Sequence, residues 1–479
     1  MTIQIHNTLT GRSEPFAPAD PKLVRMYVCG ITPYDVCHVG HARCYVVFDM
    51  VRRVLKANGY KVRYIQNFTD VDDKIIARAI DRQIKTTELV RANIDDFFNK
   101  MDALGIDRAD AYPKVSDTIP DIIALIRKLV ENKSAYKLGG DVYFSVKSFP
   151  AYGKLSKRPL DELQSGVRVD INKEKQDPLD FALWKETKPG EPPEVSWDSP
   201  WGKGRPGWHI ECSVMSMKHL GASFDIHGGG LDLIFPHHEN EIAQSEAATH
   251  VVPFANVWMH NGFVTVNKEK MSKSLGNFFS LSEVFSKYQP AVVRYMLLSV
   301  HYRSPLDFSP DILEQSRNAL SGLRDSIARA NRVLQKQEFG VDESDKPSAE
   351  ASKMIDVLVN DFHEALRDDF NTPGALGALH QMVNALEKQF ATNSVSRGSV
   401  RYMMTRIREC AEILGLDVFS FLQGLFIPPE VTEMGHQREA ARQRKDWKES
   451  DRLRAEISAR GYVVEDTPQG PRLLPKAGA

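Results

Sequence analysis

The sequence has little of what marks a membrane, secreted or unfolded protein. Its apolar runs are short, and a typical one, Cys44–Phe48, ends at Asp49. No run reaches the roughly 20 apolar residues that a membrane helix needs. The first 16 residues lack the basic and then apolar pattern of a signal peptide. Five cysteines among 479 residues make a disulfide framework improbable, and we expect a cytosolic protein with reduced thiols.

The chain also has no surplus of either charge. It contains 62 Lys and Arg against 63 Asp and Glu, so any polyanion must meet a local basic patch rather than a global field. With 42% hydrophobic and 26% charged residues, the composition is that of a soluble globular protein. The length predicts about three domains.

A strand, a helix and a second strand are expected close together near the N-terminus. The pattern predicts a strand over Arg25–Cys29, a helix from Gly40 to Asn58 and a strand over Lys61–Gln66. This βαβ unit favours an α/β fold with a parallel sheet. Ligands of such sheets bind at the carboxyl ends of the strands, which is where Cys29 is expected.

The composition of the middle of the chain predicts an inserted segment, followed by further strands of the same sheet. Nine of the 22 residues from Glu186 to Gly207 are Gly or Pro, which favours a loop-rich insertion over a continuing sheet. Further core strands are expected over Phe224–His227 and Asn256–His260. Between them, Pro236 is typical of the first position of a helix.

Beyond Asp307 the pattern becomes helical. Leucines and isoleucines repeat at helical spacing from Leu313 to Leu334, and further helices are expected at about 349–370, 373–389 and 397–414. Near the end, a helix over Glu439–Ala459 and a short strand over Tyr462–Val464 are predicted.

His38-Val39-Gly40-His41 is the first motif that carries chemistry. Its two imidazoles project on the same side of a helix start, where bare N–H groups and the positive end of the helix dipole suit a phosphate. Gly40 leaves room for a flat ligand against the backbone. By itself the motif is weak, because two unrelated surface histidines would give the same pattern.

Lys270-Met271-Ser272-Lys273-Ser274 is the second motif. Two ammonium groups in a loop rich in serine and glycine can follow the charge of a triphosphate as it reacts. Together the two motifs resemble the HIGH and KMSKS signatures of class I aminoacyl-tRNA synthetases, with Val39 in place of the usual isoleucine.

A third group of residues could bind a metal ion. His237 and Glu241 are four residues apart on the predicted helix and so share one face. Cys29 ends a strand, and Cys212 follows the segment rich in glycine and proline. Two thiolates, an imidazole and a carboxylate are a chemically reasonable zinc set, although scattered cysteine and histidine residues are more often structural.

A more specific resemblance extends over nearly the whole chain. The segments that carry it are similar to the cysteinyl-tRNA synthetase family: Met26–Asp35, Asn67–Lys74, Arg205–Ser213, Phe224–Gly230 and Phe235–Gln244. The resemblance implies that Cys29, Cys212, His237 and Glu241 bind zinc, one ion per chain. It also implies that the substrate thiol joins this ion, and we expect Glu241 to be the weakest ligand.

The resemblance implies an activity and its partners. Cysteine would be activated by ATP, with Mg²⁺ on the phosphates, and transferred to the 3′ end of tRNA(Cys). The expected catalytic residues are His38, His41, Lys270 and Lys273. The expected ATP-binding residues are His38, Gly40, His41, Gly229 and Lys273, and the expected contacts of bound cysteine are Thr69 and Trp208. We expect a monomer without membrane association.

The resemblance also divides the predicted Rossmann-like fold into parts. They are the first half of the catalytic domain (1–120), an inserted connective segment (121–204), the second half with the zinc ligands (205–260), a KMSKS and stem-contact region (261–309), a helical bundle (310–425) and a small C-terminal α/β anticodon-binding module (426–479). Nothing in 121–204 is long enough to be an obvious editing domain.

Several residues keep a second interpretation. Thr69 could be a helix cap, Trp208 a packing residue, and the glycines after His227 a simple tight turn. Trp447 could stack on an unpaired base or pack on its own helix. We expect His238 to point elsewhere on the helix and not to bind the metal, which leaves open a hydrogen-bonding role or one on the nucleotide side. Cys37, Cys44 and Cys410 are expected to be packed or inert.

Two other functions fit parts of the sequence. A ligase that joins cysteine to a glucosamine-inositol has a similar catalytic half, zinc included, but lacks a comparable tail. A non-catalytic, zinc-dependent RNA-binding protein would not need the two phosphate-binding motifs. Charging of tRNA distinguishes the first of these, and cysteine-dependent pyrophosphate exchange distinguishes the second.

Lys273 of the KMSKS motif is expected to act on the rate of adenylate formation. We expect Lys273→Ala to slow adenylate formation by about 10²–10³-fold, because its charge meets the phosphates only as the transition state forms. Cysteine binding should change far less. Pre-steady-state pyrophosphate release measures the effect, with Lys268→Ala as the control. Normal turnover with weakened cysteine binding would contradict the assignment.

Overall fold

A computed structural model describes residues 2–157, 175–266, 269–270, 278–335, 341–342, 346–390, 395–425, 429–467 and 470–475. The chain forms two compact units. Unit 1 comprises Met1–Leu320, Lys353–Met382 and Glu409–Leu416; unit 2 comprises Ser321–Ser352, Val383–Arg408 and Asp417–Ala479. None of the described helices is both long and apolar enough to cross a bilayer.

The strands of the described residues are short. In chain order they are β1 (Gln4–Asn7), β2 (Arg12–Pro15), β3 (Leu23–Ile31), β4 (Lys61–Phe68), β5 (Ala135–Leu138), β6 (Asp141–Phe144), β7 (Phe181–Glu186), β8 (Gly204–Pro206), β9 (Phe224–Gly230), β10 (Ala255–Asn261), β11 (Val264–Val266), β12 (Glu269–Lys270), β13 (Leu306–Asp307), β14 (Val341–Asp342), β15 (Val395–Ser396), β16 (Tyr462–Thr467) and β17 (Gly470–Pro475).

The α-helices alternate with the first strands and then dominate the second half of the chain. They are α1 (Val39–Ala57), α2 (Asp73–Arg82), α3 (Thr86–Ala103), α4 (Ile119–Glu131), α5 (Trp208–Leu220), α6 (Glu239–Thr249), α7 (Leu281–Phe285), α8 (Pro290–Leu298), α9 (Pro310–Leu334), α10 (Ala349–Arg367), α11 (Thr372–Phe390), α12 (Arg397–Ile413), α13 (Pro429–Gln443) and α14 (Trp447–Ala459).

A parallel four-stranded sheet is the centre of unit 1. Its order is β10-β9-β3-β4, and each neighbouring pair is parallel. The predicted βαβ unit is therefore confirmed, with α1 as the crossover between β3 and β4. Side chains of the sheet such as Tyr27, Ile65 and Ile226 are fully buried, as expected when helices cover both faces of a sheet. The α/β fold class is correct.

The segment between Glu186 and Gly207 is less irregular than its composition predicts. β7 and β8 lie at its two ends and pair with each other, Trp184 opposite Pro206 and Glu186 opposite Gly204. With β5 and β6 they form a separate antiparallel sheet. Gly204 is required by this pairing, because a Cβ there would lie 2.3 Å from the Lys185 carbonyl oxygen. Glycine content therefore reflects close strand contact here as well as turns.

The predicted helix over Glu439–Ala459 is two helices. α13 ends before Lys445, whose φ of 60° is left-handed. α14 then begins after Asp446, whose carboxylate accepts a hydrogen bond from the Glu449 N–H at 3.1 Å. An aspartate that caps a new helix start is favoured over one inside a helix, and the uniform polarity of the stretch hid this signal. β16 and β17 form the hairpin that follows.

Buried Arg294 of α8 connects several elements of unit 1. Its Nη2 lies 2.5 Å from Asp49 Oδ2 of α1, and its other nitrogens donate to the carbonyl oxygens of Leu104 at 3.0 Å and Leu414 at 2.9 Å. Arg53 reaches the same carboxylate oxygen at 2.9 Å, but its side chain is 20% exposed. The three partners of Arg294 come from distant parts of the sequence, so this guanidinium fixes the packing of the helices around the sheet.

We expect Arg294→Met to lower the free energy of unfolding by about 3–5 kcal/mol, because it leaves buried carbonyls and a carboxylate without their donor. Arg53→Met is the matched control and should cost about 1 kcal/mol or less. Urea unfolding followed by tryptophan fluorescence measures this, since five of the six tryptophans precede Leu320. Equal, small losses for both variants would contradict the assigned role.

Candidate functional site

Four ligand-type side chains converge at the carboxyl edge of the sheet in unit 1. Cys29 lies near the end of β3, Cys212 in the first turns of α5, and Glu241 in the first turn of α6. His237 lies in a π-helical turn over Ile234–His238 that precedes α6. The helix proper thus begins three residues later than Pro236 predicts, yet His237 and Glu241 still face each other.

The distances within this group are short. Cys29 Sγ lies 3.9 Å from Cys212 Sγ and 3.7 Å from Glu241 Oε1. His237 Nε2 lies 3.0 Å from the same carboxylate oxygen. One ligand atom from each of the four residues lies within 4.8 Å of the others, and all four residues are buried.

This arrangement fits a tetrahedral metal ion. Zinc bonds of about 2.0–2.3 Å place ligand atoms roughly 3.3–3.8 Å apart, close to the spacing here. Thiolates and an imidazole are ligands that zinc prefers. Two thiols and a carboxylate, fully withdrawn from water, also need a nearby positive charge to be ionised. The geometry and the chemistry of the donor set both support a metal centre.

A second group overlaps the first. Cys29, His227, His238 and Glu241 also bring one ligand atom each within 4.8 Å of one another. His238 Nε2 lies 3.3 Å from Cys29 Sγ, so the expectation that His238 points elsewhere is wrong, whereas the hydrogen-bonding role left open for it is confirmed. The backbone before the two histidines is not regular helix, since Phe235 has extended angles (φ −137°, ψ 133°), and the spacing of an ideal α-helix therefore did not predict their directions.

His227 is the functional side chain that sequence reasoning missed. Its Nε2 lies 2.9 Å from Glu241 Oε2, so Glu241 accepts from histidines on both of its oxygens. In the register of the sheet His227 lies opposite Tyr27 on β3, two residues before Cys29. A histidine that precedes three glycines in a predicted core strand was the available signal.

Charge interactions set the protonation of the cluster. Burial raises the pKa of Glu241, but His227 and His237 outweigh it and lower the pKa to about 2. Burial lowers the pKa of His237, while Glu241 and Cys212 raise it to about 10. A hydrogen bond from Cys29 lowers the pKa of Cys212 to about 6, and burial raises that of Cys29. At neutral pH these shifts leave Glu241 and Cys212 ionised and His237 and Cys29 protonated, so binding of a metal ion would release protons from the last two.

Further imidazoles surround the ligands. His238 Nδ1 lies 2.8 Å from His260 Nε2, and His260 Nδ1 lies 2.8 Å from the Thr8 hydroxyl. On the other side, His209 Nδ1 lies 3.0 Å from His237 Nδ1. Burial lowers the pKa values of His209, His238 and His260. Neutral imidazoles can orient one another through single hydrogen bonds without adding charge beside the ligands.

Three further residues, Trp208, Thr69 and Glu211, lie beside the cluster. Trp208 stacks on His237 with ring centroids 4.3 Å apart and remains 38% exposed. Thr69 is buried after β4 and accepts from Asn67 Nδ2 at 3.3 Å. It does not cap α2, whose cap is Asp72. Burial raises the pKa of Glu211, which adjoins Cys212 on α5 and hydrogen-bonds with Thr69.

The HVGH motif forms the start of α1. His38 is the N-cap; the His41 N–H donates to His38 Nδ1 at 3.3 Å, and the His38 N–H donates to His41 Nδ1 at 3.4 Å. The two rings are stacked with centroids 3.6 Å apart. No acidic residue occupies the first turn, so the positive helix end can attract an anion. Tyr45, one turn later, donates to the Cys29 carbonyl at 3.3 Å, which ties this helix to the metal-ligating strand.

The glycines after His227 do not form a tight turn, which was one of the two structures that the sequence allowed. They continue β9 to Gly230. A Cβ at Gly228 would lie 2.2 Å from the Phe48 ring, and one at Gly229 would lie 2.9 Å from His238 Cε1. These glycines therefore let α1 and the π-helical turn approach the strand. A contact between Gly229 and ATP stays a prediction.

The KMSKS motif falls largely outside the described residues. Lys270 lies in β12, where it pairs with Thr265 of β11, and Lys273 is beyond the described part. β11 also pairs with β13, so this small sheet fixes the backbone from which the motif starts.

The expected inert cysteines show no metal-like grouping among the described residues. Cys37 and Cys410 are buried and Cys44 is partly buried, each as a free thiol. Burial raises the pKa of Cys37 and Cys44, which favours the neutral thiol over the thiolate in both.

Sequence comparisons match families over most of the chain. The family described as "tRNA synthetases class I (C) catalytic domain" matches residues 15–318. A DALR domain matches 361–419, and the "Cysteinyl-tRNA ligase anticodon binding domain" matches 427–471.

Two curated relatives illustrate the similarity. A cysteine–tRNA ligase from Endomicrobium trichonymphae is 48% identical over 99% of this chain and 100% of its own length. Another from Trichlorobacter lovleyi is 46% identical over 98% of this chain and 99% of its own length.

Solved structures share the fold. The Mycobacterium tuberculosis methionyl-tRNA synthetase in complex with methionyl-adenylate matches with a TM-score of 0.63 at 18% identity, covering 85% of this chain and 95% of that chain. A leucyl enzyme from Agrobacterium radiobacter K84, in a ternary complex with tRNA, matches with a TM-score of 0.59 at 12% identity, covering 84% of this chain and 85% of that chain.

We expect the purified protein to hold one tightly bound zinc ion per chain. Cys29→Ser should lose the metal, because it removes a thiolate that both ligand groups share, whereas the buried thiol of Cys37 can be changed to serine without loss. Elemental analysis of both variants measures this. A fully metal-free protein that keeps all its activity would contradict the assignment.

Proposed function

This chain belongs to the cysteine–tRNA ligase family of class I aminoacyl-tRNA synthetases, and we propose that it joins cysteine to tRNA(Cys) in two steps. A carboxylate oxygen of cysteine attacks the α-phosphorus of ATP, the bond to pyrophosphate breaks, and cysteinyl-adenylate forms. A ribose hydroxyl at the 3′ end of tRNA then attacks the carbonyl carbon, and AMP leaves. The buried cluster of Cys29, Cys212, His237 and Glu241 is the observation that carries this proposal.

The residues of the cluster would hold zinc. When bound, a zinc ion would supply a Lewis acid that prefers the thiolate of cysteine to the hydroxyl of serine. The chain itself contributes burial, which excludes water, and the hydrogen bond between His227 Nε2 and Glu241 Oε2. Because Glu241 shares its negative charge with His227, it is our candidate for the ligand that loosens most easily.

The two signature motifs would act on the phosphates. His38 and His41 lie at a helix start without acidic residues, which suits the negative charge that builds up in the transition state. Lys270 and Lys273 would approach the pyrophosphate from the other side. We propose Gly40 and Gly229 as backbone positions that ATP approaches, with Mg²⁺ on its phosphates. Little covalent chemistry is asked of these groups beyond positioning and charge.

Bound cysteine would lie between Thr69 and Trp208. Trp208 covers the imidazole of His237 and keeps part of its ring accessible, so it can close over a small substrate. Thr69 directly follows β4 at the carboxyl edge of the sheet, where its hydroxyl could contact the amino acid backbone of the substrate.

The C-terminal residues support tRNA as the acceptor. The match of 427–471 to an anticodon-binding family favours tRNA over a small glucosamine-inositol acceptor. Residues 438–460 hold eight Lys and Arg against five Asp and Glu. Trp447 is 59% exposed, whereas Leu453 and Ile457 of the same helix are buried. We propose that this indole stacks on an unpaired base.

The organisation of the chain follows the same proposal. The catalytic residues fall in 1–120, 205–260 and 261–309, the connective segment in 121–204, and the tRNA-contacting parts in 310–425 and 426–479. We propose a monomer that acts in the cytosol, where its free thiols stay reduced.

We expect Trp447→Ala to raise the KM for tRNA in charging by about 10-fold, because one stacked base is worth about 1–3 kcal/mol. Cysteine-dependent pyrophosphate exchange should be unchanged. Val463→Ala, at another exposed apolar position of unit 2, is the matched control. If Trp447→Ala charges tRNA as well as the control does, the stacking role is wrong; absence of cysteine-dependent exchange in the unmodified protein would reject the proposed function itself.

A further inference from the structure

One carboxylate beside the metal cluster has no partner for one of its oxygens. Glu211 is only 1% exposed, yet no described group lies within hydrogen-bond distance of its Oε2. The described residues also offer it no salt bridge. A buried carboxylate without a donor is costly, so a ligand that supplies one would satisfy it.

The acids near Glu211 are all satisfied by groups of the chain. Asp70 accepts from the Ser116 N–H at 3.0 Å and hydroxyl at 2.5 Å. Asp72 caps α2 through the Lys74 N–H, and Asp73 pairs with Lys185 at 2.8 Å. Glu211 differs from them because the Thr69 hydroxyl, which hydrogen-bonds with it, satisfies one oxygen at most, and Oε2 is left without a donor among the described residues.

The position of Glu211 relates it to the substrate. Trp208, Glu211 and Cys212 follow one another at helical spacing in the first turns of α5, so they share one face. The same face thus presents an exposed aromatic ring, a carboxylate and a thiol of the metal cluster. Only two carbon atoms separate the sulfur of cysteine from its amino nitrogen, so a thiol held at the cluster places the amino group close by.

We infer that Glu211 is a specificity-determining residue that accepts the α-ammonium group of substrate cysteine, together with the Thr69 hydroxyl. This inference rests on the proposed function, since it places cysteine at the cluster. The ammonium brings donors and a positive charge to an oxygen, Oε2, for which the described residues supply neither, and charge-assisted hydrogen bonds of this kind are among the strongest in proteins. A thiol without an amino group would leave the carboxylate unpaired and bind poorly.

The test compares Glu211→Gln with the unmodified chain on three ligands. Cysteine has the thiol, ammonium and carboxylate; cysteamine lacks the carboxylate; 3-mercaptopropionate lacks the ammonium. We expect the KM for cysteine in pyrophosphate exchange and the inhibition constant of cysteamine each to rise about 100-fold. The inhibition constant of 3-mercaptopropionate should change less than about 3-fold, because that ligand never used the carboxylate.

Two controls make the result specific. Glu246→Gln removes another buried carboxylate, on α6, which pairs with Lys154; it should leave the three constants in their original ratio. The zinc content of Glu211→Gln should equal that of the unmodified protein, and Glu211→Asp should recover part of the affinity for cysteine and cysteamine.

Other results would overturn the inference. If all three ligands weaken by the same factor, Glu211 supports the site only structurally; if none weakens, it does not meet the substrate. Should the unmodified protein fail to catalyse exchange, the proposed function is wrong, and calorimetric binding of the three ligands would still decide the role of Glu211.

Discussion

Burial of Cys29, Cys212 and Glu241 in one small volume is the constraint on which the site depends. Thiolates and a carboxylate this close repel one another in a medium of low polarizability. His227 and His237 offset part of this charge through Glu241, and a metal ion would offset the rest. The hydrogen-bonded histidines around the cluster then have a clear purpose, because they hold ligands in place while remaining neutral.

The parallel sheet delivers these groups from distant parts of the sequence to one edge. β3 supplies Cys29, its neighbour β9 supplies His227, and the two helices that pack there supply the other ligands. α1 starts at the same edge with His38 and His41, and Tyr45 fastens it to the Cys29 carbonyl. The proposed phosphate-binding motif and the proposed metal ligands are therefore positioned by the same strand, which favours the close approach of an amino acid and a nucleotide.

Periodicity and motif spacing predicted the α/β fold, the βαβ unit and most helices of the second half, because each depends on local patterns of apolar residues. The four proposed ligands came from the family resemblance, and the structure brings them together. The features that the sequence did not predict depend on local backbone geometry. His238 faces inward after an irregular turn, the glycines of β9 serve close packing, and Lys445 divides a polar helix in two. Glu211 has no sequence signal, since only its burial and its missing partner distinguish it from surface glutamates.

Selection of cysteine by a metal held in this cluster can be measured directly. The rate of pyrophosphate exchange is compared for cysteine and serine, first on metal-stripped protein and then after zinc is restored. We expect the stripped protein to lose cysteine-dependent exchange and the reloaded protein to prefer cysteine by more than about 10⁴-fold, well above the roughly 10²-fold that an apolar pocket gives against near-isosteres. A stripped protein that still prefers cysteine to the same degree would contradict the metal-based account of specificity.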